Sequence, residues 1–110
     1  MSTLIVPCVG RKIMNGIPQY LNRHPNGKLL IERSIEGVFS DKYRRVLIVL
    51  LKEDVEHFDA ESIIVQEVKG YPLEFVLLDQ MTSGPAETVY QAIQKANVTG
   101  QVVVKDADNY

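Results

Sequence analysis

Four short apolar runs, each rich in branched side chains, set the terms on which this chain can fold. They are "TLIVPCV" (Thr3 to Val9), "RRVLIVLL" (Arg44 to Leu51), "LEFVLLD" (Leu73 to Asp79) and "QVVVK" (Gln101 to Lys105). Runs this short and this apolar read as strands buried on both faces. The segments between them carry helical periodicity. In "GKLLIERSIEGVF", Leu30, Ile31, Ser34, Ile35 and Val38 share one face, while Glu32, Arg33 and Glu36 lie elsewhere on the cylinder. "KEDVEHFDAESIIVQEV" predicts a helix in two pieces, broken near Asp59. "GPAETVYQAIQKAN" predicts a helix with Gly84 as N-cap, Pro85 at its first position and Glu87 near its positive end. Ala86, Val89, Tyr90, Ile93 and Ala96 are its expected buried stripe. Strands alternating with helices require crossover connections, and hence a mostly parallel sheet covered on both faces. The expected fold is therefore α/β, with helices on both faces of a mostly parallel four-stranded sheet.

Composition narrows the class. A chain of 110 residues, 45% hydrophobic and 24% charged, suits one soluble domain with a single modest core. No repeat, low-complexity tract or linker divides it. The longest aliphatic run, "VLIVLL", is too short to span a bilayer. "LIVPCV" is too short for a signal peptide, and its basic residues follow it. No membrane association is expected. Cys8 has no partner cysteine and lies in an apolar run, which fits a buried thiol in a reducing cytoplasm. A net charge of −2 argues against a sequence-independent nucleic-acid binder. The charges are unevenly spread: residues 1–45 hold 8 Lys/Arg against 3 Asp/Glu, and residues 46–110 hold 4 against 11. That asymmetry suits a phosphorylated ligand with a metal ion, and suits two unrelated solvated faces equally well.

In parallel sheets ligands bind beyond the carboxyl ends of the strands. Here those ends carry Gly10, Arg11 and Lys12, then Lys52 and Glu53, then Asp79 and Gln80, and last Asp106 and Asp108. "VGRK" offers turn N–H groups and two cations, a combination that binds phosphate, although it is neither a dinucleotide fingerprint nor a P-loop. In "DQMTSGPAE", Gln80 has the amide donor and acceptor needed to read one edge of a base, and Gly84 would let a base approach the backbone. An ordinary strand-to-helix loop would look the same. Asp106 and Asp108 flank Ala107, and two carboxylates at a strand end suit Mg²⁺, which takes one or two carboxylates plus substrate phosphates. The alternative is a helix cap or a solvated pair. From Gly10 to Gly27 no period is sustained, so a long loop is expected. His24 and His57 lack the spacing of zinc ligands, and no serine sits in a G-x-S-x-G context. Tyr90 reads as core.

Taken in order, these segments resemble the N-terminal, nucleotide-binding part of the sugar-phosphate nucleotidyltransferases (nucleotide-sugar pyrophosphorylases). "LIVPCVGRK" is similar to their first strand and phosphate loop, and "IPQYL" to their P-K segment. "NGKLLIERSI" resembles their "NGKPMIE" helix start. "DQMTSGPAETVYQAI" resembles their base-recognition loop and helix, and "VVVKDADNY" the strand that bears their metal-binding aspartate. The resemblance covers the whole chain. It implies a three-layer α/β/α, Rossmann-like fold of the nucleotide-diphospho-sugar transferase type, with strands in the spatial order 3-2-1-4, and transfer of a nucleoside monophosphate from an NTP to a sugar phosphate, with release of pyrophosphate and with Mg²⁺ as cofactor. Gly10 and Arg11 then fall in the phosphate loop, Gln80 and Gly84 at the base, and Asp108, with Asp106 beside it, at the metal. Gln80 hints at UTP or another pyrimidine nucleotide. A homo-oligomer is compatible with it.

The departures also carry meaning. Met14 stands where the family has a loop arginine, and Gln19 where the P-K pair has lysine. Both usual residues are cations that stabilise charge on the reacting phosphates. Catalytic competence then requires Arg11, Lys12 or Lys28 to supply that charge. The family continues past its metal aspartate into a sugar-phosphate-binding half, so residues 1–110 are expected to be part of a longer protein and inactive alone. Two rival readings are a metal-dependent glycosyltransferase of related fold, whose D-x-D holds a nucleotide sugar, and a non-catalytic nucleotide-binding module.

Overall fold

The computed structural model describes residues 2–9 and 13–107. Strand β1 (Ser2–Pro7) pairs in parallel with β4 (Tyr43–Leu51) on one side and β6 (Gln101–Val104) on the other. Strand β5 (Leu73–Leu78) pairs in parallel with β4, so the sheet runs β5-β4-β1-β6. A separate hairpin, β2 (Ile13–Met14) with β3 (Ile17–Pro18), accounts for the numbering; counted alone, the four sheet strands lie third, second, first, fourth in chain order. Helix α1 (Leu30–Val38) joins β1 to β4, α2 (Lys52–Phe58) and α3 (Ala60–Glu67) join β4 to β5, and α4 (Pro85–Ala96) joins β5 to β6.

Alternation along the strands sorts the core into two parts. Leu4 and Val6 of β1 with Val46, Ile48 and Leu50 of β4 face Ile31 and Ile35 of α1 and Ala60 and Ile64 of α3. Ile5 with Leu47, Val49 and Leu51 face the other way, where Ala92, Val89 and Ile93 of α4 cover them. The central strands are thus buried on both faces, as their unbroken apolar runs require. At the edges, β6 is only half covered, and Val104 is exposed. Cys8 is buried. Among the described residues no helix is long and apolar enough to cross a membrane.

The break between α2 and α3 falls on Asp59, whose φ of 54° puts it in the left-handed region that ends a helix. Gly84 caps α4 with Pro85 at its first position, and Glu87 reaches back to the Ser83 N–H and hydroxyl. The buried stripe of α4 differs from the expected one. It is Thr88 and Ala92 that are buried, with Val89, Ile93 and Ala96 half-buried. Ala86 and Tyr90 face solvent, and the Tyr90 hydroxyl accepts from Gln94 Nε2. The helix has turned towards its small residues, which allow closer approach to the sheet than a phenol would.

The expected loop after β1 also has structure of its own. Asn15 and Gly16, with φ of 57° and 81°, make the two-residue turn of the hairpin. A single 3-10 turn (Gln19–Leu21) follows. Buried Asn22 locks the segment: its Nδ2 donates to the Met14 and Pro18 carbonyls, its Oδ1 accepts from Asn15, and its carbonyl accepts from Leu30 N at the start of α1.

Candidate functional site

All four sheet strands point the same way, so their carboxyl ends share one edge of the sheet. Along that edge the order is the segment after β5, then the start of α2 after β4, the segment after β1, and the acidic turn after β6. From β1 the chain moves outward through β4 to β5 and then crosses back to β6 on the far side of β1. The reversal of direction therefore lies between β1 and β6, and ligands in open parallel sheets bind at such a point. The ladder opens there as well. On the β4 side pairing runs on to Cys8 N and the Val49 carbonyl; on the β6 side it stops at Lys105 N and the Ile5 carbonyl.

Asp106 follows this last bond and is exposed. Ala107 turns inward, 5% exposed, and its carbonyl accepts a hydrogen bond from the buried Ser34 hydroxyl of α1 at 2.9 Å. The acidic turn is thus held to β1 through Lys105 and to α1 through Ala107. Asp108, like Gly10, Arg11 and Lys12, lies outside the described residues. Among the described residues no group of three or more His, Cys, Asp or Glu side chains gathers.

Gln80 lies along the same carboxyl edge but beyond β5, the outermost strand on the other side, and is exposed. It lines an open cleft of about 280 Å³ with Asp79, Met81 and the Glu87, Gln91 and Lys95 stripe of α4. Gly84 is not part of that lining. Its φ of 172° is extended backbone, and no heavy atom lies within 4 Å of where a Cβ would stand. Its carbonyl accepts from the hydroxyls of Thr82 and Thr88. Four strands at about 4.8 Å spacing put the ends of β5 and β6 roughly 14 Å apart. Gln80 and Asp106 are thus on one edge but not in contact.

Lys28 is engaged elsewhere. Its ammonium bonds Glu36, two turns along α1, and that hydrogen bond and charge hold the ammonium above its ordinary range. Glu36 also takes Arg33, and the Lys28 hydrogen bond chiefly holds its carboxyl below the usual range. Lys28 also senses Tyr71, which precedes the amino end of β5. Its charge therefore lies on the α1 surface and not with Gln80 or Asp106. The wider charge asymmetry is consumed in the same manner. Arg23 pairs with Glu67, and Arg45 forks onto Glu74 while donating to the Ala96 carbonyl. Met14 is exposed on the hairpin, and Gln19 is half-buried.

Beside Gln19, the Tyr20 hydroxyl donates to Asp54 Oδ2 at 2.8 Å, both residues being buried. Asp54 is in the first turn of α2, directly after β4. Ser34, Tyr20, Asn22 and Asp54 are the supports of this edge that residue types and spacing did not disclose. A serine on an apolar helical stripe and an Asn-Gly pair between Met14 and Ile17 were the available signals. No protein-family model matches the chain, and no curated protein matches it significantly in sequence.

Proposed function

We propose that the carboxyl edge of this sheet binds a nucleoside triphosphate with Mg²⁺, in a three-layer α/β/α domain of the nucleotide-diphospho-sugar transferase type. The observation that carries the reading is the order of strand ends, β5-β4-β1-β6. In that order Gln80 after β5, the segment after β1 and the acidic turn after β6 would follow one another as base, phosphates and metal do in an extended nucleotide. The roughly 14 Å between the outer ends suits an extended ligand laid across them. Gln80 would read the base, a pyrimidine such as uracil being suited to one amide donor and one acceptor. Gly10, Arg11 and Lys12 would hold phosphate oxygens through N–H groups and charge. Asp108 and Asp106 would hold the Mg²⁺, whose charge would offset that of the phosphates.

The reaction favoured is nucleotidyl transfer. An oxygen of a sugar phosphate attacks the α-phosphorus in line, and the bond to the departing pyrophosphate breaks as the new P–O bond forms. Such chemistry asks the protein mainly for positioning and charge neutralisation. Calorimetric titration of UTP with and without Mg²⁺ tests the binding, and Asp108→Asn should abolish the metal dependence. An unchanged dependence in that variant would sink the assignment.

The commitment of Lys28 to Glu36 favours a second reading, a nucleotide-binding module without catalysis. With Met14 and Gln19 at the family's cationic positions, only Arg11 and Lys12 remain of the three proposed substitutes. Exchange of labelled pyrophosphate into UTP separates the two: Mg²⁺-dependent binding without exchange supports the module.

A further inference from the structure

We infer that the open cleft beyond β5 is a subsite for cytosine, which Asp79 selects over uracil, so that the nucleotide bound at this edge is CTP. The inference rests on the nucleotide reading above and narrows its pyrimidine to one base.

The cleft holds about 280 Å³ between residues 79–81 and the Glu87, Gln91 and Lys95 stripe of α4. That is the small end of ligand pockets, and it suits one ring better than two. Its chemistry is mixed. Met81, 55% exposed, is an apolar side chain among polar ones, and a thioether packs well against a flat ring. Gln80 and Gln91 each bring an amide donor and acceptor. Either pyrimidine can use them, because an amide turned over reads a carbonyl beside an N–H as well as an amino group beside a bare ring nitrogen. Lys95 only donates, and would take the O2 carbonyl that both bases share. Discrimination between the two bases is left to the carboxylates.

An ionised carboxylate only accepts hydrogen bonds. Cytosine offers it the amino group at C4, where uracil presents a carbonyl oxygen that a carboxylate repels. Glu87 is already occupied, since its two oxygens take the N–H and the hydroxyl of Ser83. Among the described residues Asp79 joins no hydrogen bond or ion pair. It directly follows β5 and lines the cleft beside Gln80, so the amide and the carboxylate can read adjacent positions of one ring edge. Asp79 is exposed, and water tempers the preference to about tenfold.

The test titrates CTP, UTP and GTP, each with Mg²⁺, into the wild-type chain and into Asp79→Asn by calorimetry. CTP should bind the wild-type chain about tenfold more tightly than UTP. Asparagine keeps an acceptor for the amino group and adds a donor for the uracil carbonyl. In the variant CTP should therefore weaken and UTP tighten, until the two affinities lie within about twofold. If Asp79→Asn does not fold, Asp79→Ala takes its place and should likewise lose the preference. Equal loss of CTP and UTP in the folded variant would mark a structural lesion and overturn the inference, as would a preference that survives the substitution. UTP or GTP binding the wild-type chain as tightly as CTP would overturn it and leave the nucleotide reading standing. If none of the three nucleotides binds, the inference and the nucleotide reading fall together.

Discussion

Tyr20 and Asp54 meet through a 2.8 Å hydrogen bond from the phenol to a carboxylate with no exposed surface, and so fasten the segment after β1 to the first turn of α2. Asp54 begins α2 at the carboxyl end of β4, so the contact lies at the carboxyl edge of the sheet. A hydrogen bond to a buried carboxylate is worth more than a neutral one, because the acceptor charge cannot fall back on water. Tyr20→Phe should therefore cost about 1.5–3 kcal/mol in urea unfolding. A loss below about 0.5 kcal/mol would mean that the phenol packs but does not tether.

Asn22 is the second fastening point. It donates to two carbonyls and accepts from Asn15 while its own carbonyl caps the entry to α1. Asn22→Ala removes three side-chain hydrogen bonds and leaves the Pro18 carbonyl without this donor, so about 2–4 kcal/mol should be lost. Hydrogen exchange should show the loss concentrated in residues 13–29. Uniform loss across β1 and β4 would contradict a local role.

The strands were legible because their apolar runs allow only one kind of burial. Val46 to Leu51 has no polar residue to turn outward, so a central position follows from composition alone. The break at Asp59 was legible because a short-side-chain residue there interrupts an otherwise charged and apolar helical pattern. What the sequence concealed is of another sort. Tyr90 has the size of a core residue, but the choice between Tyr90 and Thr88 depends on how closely α4 approaches β4, which no periodicity encodes. Ser34 looked like one tolerated polar residue on an apolar stripe; its partner lies 73 residues away. The Asn15–Gly16 turn was readable by type, yet flanking strands of two residues are too short to show alternation.

Acidification should weaken the fold through three glutamates. The hydrogen bonds of Lys28 to Glu36, Arg23 to Glu67 and Arg45 to Glu74 are the main causes that hold these carboxyls below the usual value of 4.5. A carboxyl depressed in the folded state contributes stability above its unfolded value, and loses it as pH falls through the folded one. Melting temperature should thus be steady near neutrality and fall as pH drops below 4.5. Glu74→Gln should flatten part of that fall. Added salt should shrink the effect, since these pairs are largely solvent-accessible. An identical slope in Glu74→Gln would remove the Arg45 pair from the account.

Gly84 decides whether the α4 cap belongs to the ligand or only to the helix. Its extended φ can be adopted by any residue, and the space around its missing side chain is empty. The carbonyl that Thr82 and Thr88 hold belongs to the backbone and survives substitution. Gly84→Val should therefore cost the fold about 1 kcal/mol or less, the penalty of a poor N-cap residue. If a base lies against this backbone, however, the branched side chain fills the space the base needs. UTP affinity should then fall by about tenfold or more, equivalent to about 1.4 kcal/mol, with the melting temperature nearly unchanged. Thermal melting and UTP titration on the same preparation separate the two roles. A collapse in melting temperature with normal affinity in the folded fraction would make the glycine structural, and the base-reading role of the segment after β5 would fall with it.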